Sequence, residues 1–462
     1  MKIKHLFWFV CIAFAACNND MEVVPENAAK NIVENALATD SVKVNESEIN
    51  NILKSVLNKP ETRANNFTME TISDEEGNPL IYVVNYENNG GFVLISATKN
   101  YFPVLAYNET GNFVVTEHSS EGMLSWKNTA IKTIVKSASM PKGVQNAFRK
   151  QWHKYENKKE LNPICVSRMS GDEILASQVV VQDSVMSWIS KHYDVYALNE
   201  DTGNDDINEE IQYWAQNYIY PEYEEDIERL TMIVGKPIDL SQGTINNFLL
   251  TTWSQHNGFN SAFSPINGEF PPAGCGPIAA AQTMRHFQHP SNINWASMPL
   301  YYATTTTAAF IKQLADRAHA EPSLNETPTT LDNLNNAIKS YGYTTSKGNH
   351  VCSYVWDNLE VNKPVIMAGW TQEDSGHAWV VSGGKHHHSK YRYEIYTITY
   401  PERFTCVNHI DDSELISYHF YMNWGWGGYS NGFYYDFSLQ LPGYENEGQI
   451  VDRKIIYNIT PI

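Results

Sequence analysis

Residues Pro271 to Phe287 read PPAGCGPIAAAQTMRHF. One cysteine, Cys275, stands between Gly274 and Gly276, with Pro277 close behind and a run of small and apolar residues after it. A cysteine that only fills a core needs none of that punctuation. The two glycines remove side-chain bulk on either side, which lets a substrate backbone come close. Pro277 suits the first position of a helix, where its missing N–H costs nothing. Ile278, Ala281, Met284 and Phe287 recur at helical spacing, so a buried helix is predicted directly after the cysteine. Ala279, Ala280 and Ala281 allow that helix to pack tightly. At a helix N-terminus the free N–H groups and the positive end of the macrodipole favour thiolate over thiol. The stretch reads as an exposed nucleophile; a buried structural cysteine is the competing reading at this point.

A nucleophilic thiolate needs a group that takes and returns its proton. Of the fifteen histidines, His377 stands out in NKPVIMAGWTQEDSGHAWVVSGG, residues 362–384. Val365 to Ala368 is predicted as a strand, followed by a polar turn and a second strand from His377 that Gly383 and Gly384 close. Gly376 precedes the histidine. A histidine at the start of a buried strand is held rigidly, although alone it reads equally as a satisfied core residue. A third segment, YHFYMNWGWGGYSNGFYY (418–435), alternates Tyr418, Phe420 and Met422 as a strand ending at Asn423 and Trp424. An asparagine or tryptophan beside an imidazole fixes its tautomer and shields it from water. The plainer reading is an aromatic-rich turn packing a core.

Taken together, GCGPIAAAQTMRHF, GHAWVVSGG and NWGWGGYSNGFY resemble the signature segments of the streptopain family, secreted bacterial cysteine peptidases with a papain-like fold. Upstream, LLTTWSQHNGFN (249–260) is similar to the segment carrying that family's oxyanion glutamine, which falls on Gln255, and NINWASM (292–298) matches the pattern after the nucleophile helix. The resemblance runs from about residue 245 to 462. It implies an α+β fold, a helical part plus an antiparallel sheet or barrel part. It also implies Cys275 as nucleophile, His377 as base, Gln255 at the oxyanion, and Trp424 covering and orienting the histidine with Asn423 beside it. Gly274, Gly276 and Gly376 are expected along the substrate. Protein or peptide substrates are the expected partners, and neither a metal nor an organic cofactor is implied. One departure is the stretch 383–421, an insertion between His377 and Asn423 expected to reshape the cleft. Its His386, His387 and His388 read as an exposed loop rather than a metal site.

Ahead of this region, LIYVVNY (80–86) and FVLISA (92–97) flank ENNGG and predict a hairpin. YFPVLAYNETGNFVV (101–115) continues with a further strand and turn. Residues 120–160 read as helical and basic, and nothing in this front half looks catalytic. It resembles the propeptide of the streptopain family, expected to fold as a separate inhibitory domain over residues 18–235, ahead of a catalytic domain over 240–462. The acidic blocks NEDTGNDDINEE (199–210) and PEYEEDIERL (221–230) read as a solvated linker near 199–228, open to proteolytic nicking.

The first seventeen residues, MKIKHLFWFVCIAFAAC, have a basic start, a short apolar middle and a small-residue exit, which describes a secretory signal. Phe14 to Cys17 resembles the lipobox of bacterial lipoproteins, in which Cys17 is lipidated; a plain signal cut near Ala16 is the alternative. Export is expected on either reading, with the chain lipid-anchored at the cell envelope or released after processing. The net charge of −19 lacks the basic face a nucleic-acid binder needs. No run of eighteen apolar residues occurs, so no membrane-spanning helix is expected. Beyond Cys11 and Cys17, the four scattered cysteines Cys165, Cys275, Cys352 and Cys406 form no disulfide framework, and without a Cys-x-x-Cys pair a zinc ribbon is excluded. Two other functions compete: a cell-wall peptidase or amidase, and a catalytically inert surface-binding or inhibitor lipoprotein.

Overall fold

The computed structural model describes residues 42–57, 66–116, 119–155, 194–196, 205–218, 229–370, 376–399, 403–437 and 453–462. Contacts divide the chain into two units: Lys43–Tyr155 with Asp239–Lys390 and Ser413–Ile462, and Met1–Val42 with Glu156–Ile238 and Tyr391–Asp412.

In the first of these, helix α1 (Glu46–Val56) opens on a capping box: Asn45 Oδ1 accepts the Glu48 N–H, and the Glu48 carboxylate accepts the Asn45 N–H, both at 3.0 Å. Strands β1 (Phe67–Ser73), β2 (Pro79–Tyr86), β3 (Phe92–Ser96) and β4 (Val104–Asn108) follow as an antiparallel meander. The predicted hairpin is the β2–β3 turn, with Asn88, Asn89 and Gly91 all at positive φ. A Cβ on Gly91 would lie 2.3 Å from the Asn108 carbonyl oxygen, so only glycine fits. Helices α2 (Glu121–Ser137) and α3 (Lys142–Trp152) account for the helical, basic stretch.

In the other unit, β5 (Asp194–Tyr196) pairs antiparallel with the early part of β6 (Arg229–Ile245), and α4 spans Asp205–Tyr218. That helix lies inside the acidic run expected to be a linker. Ile207 and Ile211, four residues apart and buried, supply the apolar stripe that the charge count hid.

The C-terminal segment continues with α5 (Cys275–Phe287), α6 (Thr305–Arg317), α7 (Leu331–Ser340), β7 (Tyr343–Asn349), α8 (Cys352–Glu360) and β8 (Val365–Trp370), then β9 (Gly376–Thr399), β10 (Arg403–Asn423), β11 (Gly432–Tyr435) and β12 (Arg453–Pro461). Helix α5 is buried from Gly276 to Met284. Ile278, Ala281 and Met284 pack with Phe310, Ile311 and Leu314 of α6, Leu334 and Ile338 of α7, and Ile366 and Val380 of the sheet. The alanine run is what allows two helices and a sheet to close on one helix. Among the described residues no helix is long and apolar enough to cross a membrane.

The strands run in the order β1-β2-β3-β4-β11-β10-β9-β8-β12-β7, giving the expected α+β architecture. Its central join is unexpected from sequence: β4 pairs antiparallel with β11 through Tyr107↔Phe433 and Ala106↔Tyr434. The front segment therefore extends the sheet of the C-terminal segment. Leu94, Phe102, Trp126 and Phe148 share one apolar core with Met422, Trp424, Tyr434 and Tyr435. Phe102 stacks on Tyr435 at 4.3 Å, and Tyr107 stacks on Phe433 at 5.3 Å beneath the Lys385 ammonium.

Strand β9 does not close at Gly383–Gly384 but runs on to Thr399. Those glycines serve close approach: a Cβ on Gly383 would lie 2.9 Å from the Asn247 nitrogen, and one on Gly384 would lie 3.2 Å from Trp356. Over residues 383–399 and 403–421 the insertion is thus strand rather than loop. Its three histidines diverge, with His387 Nε2 2.7 Å from Asp239, His388 Nε2 2.8 Å from Glu414, and the His386 ring edge-on to Trp356.

Candidate active site

Cys275 is the first residue of α5, and Gly274 before it has φ +89°. A Cβ on Gly274 would lie 2.6 Å from the Thr327 carbonyl oxygen, and one on Gly276 would lie 3.0 Å from Thr329 Cγ2. At both positions the neighbour that excludes a side chain is the chain's own segment around 327–329. The space a side chain would need at these two positions is thus taken by the chain itself; Gly376, by contrast, is exposed at the start of β9. Pro277 sits third in the helix, not first, still within the turn whose N–H groups lack helical acceptors.

Strands β8 and β9 pair with Gly369 opposite His377 and Ala368 opposite Ala378. The Ala378 N–H lies near enough to the Cys275 sulfur to favour its ionised form, which puts the cysteine beside the strand that opens at His377. His377 Nε2 lies 3.3 Å from the Trp424 carbonyl oxygen and 3.2 Å from Ser120 Oγ. A carbonyl only accepts, so Nε2 carries the hydrogen and Nδ1 of the neutral ring is left with its lone pair. Trp424 therefore meets the histidine through its backbone. Its indole is wholly buried and donates to the Ser430 carbonyl at 3.0 Å. The ring lying parallel to the imidazole is Trp379, at 6.3 Å and 16°. Residues 377 and 379 share one face of β9, a signal present in GHAWVV as period-two spacing.

Asn423 does not turn to the imidazole. Its Nδ2 donates to the Thr251 carbonyl at 2.7 Å and to Gln282 Oε1 at 3.3 Å, and its Oδ1 accepts the Gly425 N–H at 3.1 Å. Gln282 Oε1 in turn accepts the Trp253 N–H at 3.1 Å. This buried amide pair ties α5, β10 and the segment before Gln255 together. Asn423→Ala is expected to cost roughly 3 kcal/mol of stability by stranding these partners, with little loss of rate per folded molecule. Denaturant midpoints alongside kcat check it; a large kcat loss at unchanged stability contradicts it.

Gln255 is buried, and its carbonyl accepts the Ala273 N–H at 2.8 Å, which holds it beside the approach to Cys275. A bridge between Ser254 and Trp426 fastens the same segment to the Trp424 turn.

The group on the far side of the imidazole belongs to the front segment. Ser120 occupies the N-cap of α2 but makes no side-chain capping bond, and its hydroxyl goes to His377 instead. A Cβ on Gly122 would lie 2.3 Å from His377 Cδ2 and 3.1 Å from Nε2, so the start of α2 rests directly on the ring. Sequence reading passed over both residues. The signal was a glycine in the first turn of a helix with no local need for it. In this form burial pushes the Cys275 thiol up, with the Glu121 carboxylate adding to it against the N–H groups of Ala378 and Gly276. Burial likewise holds His377 below the ordinary histidine range, opposed by the Trp424 carbonyl and Glu121. The thiolate expected from the helix terminus alone is thus not the favoured form while α2 is seated.

Cysteine at a helix N-terminus and a strand histidine steadied by a carbonyl define the class of cysteine peptidases. The model of the Peptidase C10 family matches residues 253–434, and that of the Spi protease inhibitor matches residues 21–134. A fragment of prointerpain A from Prevotella intermedia is similar at 14% identity over 86% of this chain and 99% of that chain, with a TM-score of 0.46. The active interpain A cysteine protease of the same organism is 14% identical over 46% of this chain and 94% of that chain, with a TM-score of 0.34. No curated protein matches the chain.

Proposed function

We propose that this chain is the latent precursor of an exported bacterial cysteine endopeptidase. The observation that carries the reading is Cys275 at the start of α5, its sulfur near the Ala378 N–H, with the preceding strand residue His377 tied through Nε2 to the Trp424 carbonyl. With Nε2–H so committed, Nδ1 is the nitrogen that takes the thiol proton. The resulting thiolate attacks the scissile carbonyl carbon, and the developing oxyanion is held by Gln255 and the Cys275 N–H, about 3 kcal/mol per donor. Imidazolium returns the proton to the leaving amine as the C–N bond breaks, then accepts one from the water that hydrolyses the thioester. Trp379 and the Trp424 carbonyl keep the ring oriented throughout.

Latency follows from α2. Ser120 and Gly122 cover the Cδ2–Nε2 edge of His377 and leave the thiol and imidazole both neutral. Removing residues 18–235 uncovers the pair, and the catalytic domain then spans 240–462. Export by the signal over residues 1–17, with lipid on Cys17, places the enzyme at the cell envelope until it is processed; these residues lie outside those described. Casein hydrolysis by the processed chain, lost in His377→Ala, tests the assignment. Cleavage of peptidoglycan stem peptides in preference to casein would move it to the cell-wall enzymes, and an inert processed chain to the binding lipoproteins.

A pH dependence also follows. A histidine held below its ordinary value favours the folded state when neutral. Its contribution is fully present above about pH 6.5, the unfolded value, and is lost as pH falls toward the folded value. The Cys275→Ala precursor is expected to denature at lower urea at pH 5 than at pH 7.5. The gap should narrow when His377→Gln is added; an undiminished gap contradicts the burial of a neutral His377.

A further inference from the structure

A second group of thiol, imidazole and carboxylate lies away from Cys275. His350 Nε2 is 2.8 Å from Asp436 Oδ2, Cys352 Sγ is 3.5 Å from Asp436 Oδ1, and the sulfur and Nε2 are 3.8 Å apart. All three ligand atoms fall within 4.8 Å of one another. We propose that His350, Cys352 and Asp436 form a binding site for a thiophilic divalent transition ion of the zinc class.

The edges of the triangle carry the inference. Bonds of about 2.0–2.3 Å to nitrogen, oxygen and sulfur at tetrahedral angles set the ligands roughly 3.3–3.6 Å apart. The sulfur–oxygen and sulfur–nitrogen separations need only small adjustment, and the 2.8 Å nitrogen–oxygen contact opens when the ion replaces the shared hydrogen. Three protein ligands leave a fourth position for water. Cys352 begins α8, where the helix terminus favours thiolate. Arg453 donates to both Asp436 oxygens, at 2.7 and 2.9 Å, and so fixes the carboxylate while leaving a lone pair on each oxygen.

An Arg453–Asp436–His350 ion pair without a metal accounts for part of this, yet two features stay outside it. A thiol is a poor donor to a buried carboxylate, and His350 Nδ1 is buried with no partner. When the ion binds, Cys352 releases its proton to solvent and His350 transfers its hydrogen from Nε2 to Nδ1, so one proton leaves per ion. The ion would join the start of α8 and the exit of β11 beside Arg453 of β12, next to the core shared with the front segment. None of this depends on the peptidase assignment.

The test is titration of the full-length Cys275→Ala precursor with cobalt(II), which removes the other described free thiol as a ligand. One equivalent is expected to raise a near-ultraviolet thiolate-to-cobalt charge-transfer band and visible d–d bands, both displaced by zinc(II). Adding Cys352→Ser is expected to abolish the charge-transfer band, and His350→Gln to weaken binding roughly tenfold or more. His350→Gln stands as the second variant if Cys352→Ser fails to fold. No charge-transfer band in the Cys275→Ala precursor at excess cobalt(II) overturns the site. So does a band that survives Cys352→Ser, or an affinity unmoved by His350→Gln.

Discussion

Cys275→Ala is expected to reduce casein hydrolysis by the processed chain by a factor of roughly 10⁴ or more, and to leave the precursor uncut when made alone. The size follows from what is removed. Without sulfur there is no thioester intermediate, and neither Gln255 nor the Cys275 N–H has a covalent adduct to stabilise. What survives is substrate positioning alone. Because the variant cannot process itself, it is compared after cutting in trans by the unaltered enzyme. Methyl is smaller than thiol and α5 is otherwise untouched, so the denaturant midpoint should move little. Hydrolysis within tenfold of the parent removes Cys275 from the mechanism.

Gly122→Leu is expected to break latency. The first side-chain atom alone would meet His377 Cδ2 at 2.3 Å, and the ring is boxed in by Trp379 and the Trp424 carbonyl. The start of α2 must then lift, at the ~1–3 kcal/mol typical of overpacking, which is roughly five- to 150-fold in the seated population. The precursor should process itself faster by that factor, and the front segment supplied separately should inhibit the processed enzyme more weakly by the same factor. Gly122→Ala is expected to show the smaller version of each effect. Leucine at 122 with unchanged processing and unchanged inhibition contradicts the contact with His377 as the source of latency.

The nucleophile helix, the His377 strand and the ending of β10 at Asn423 are all legible in sequence, because each rests on short-range periodicity and glycine placement. What escaped is long-range. Nothing local in VLAYN (104–108) says that it pairs with GFYY (432–435), since antiparallel partners such as Tyr107 and Phe433, 326 residues apart, share no signal within one chain. Ser120 and Gly122 were illegible for the same reason: their reason for being is a ring that lies far along the chain. Asn423 and the glycines flanking Cys275 have contacts that their residue types did not announce. Their chemistry suggested the reaction, whereas their neighbours show bracing by Thr251, Gln282 and Thr327. The acidic stretch hides α4 because its apolar stripe is only two isoleucines, Ile207 and Ile211, among many carboxylates.

The central claim is that Cys275 becomes a reactive thiolate only when α2 leaves His377. The most direct measurement is the rate at which an epoxide such as E-64 alkylates Cys275, followed by mass spectrometry, in the intact precursor and after processing. Slow alkylation of the precursor and rapid single-site alkylation at Cys275 afterwards is the predicted result. Equal rates in the two forms, or a processed chain that E-64 leaves unmodified at Cys275, would contradict it.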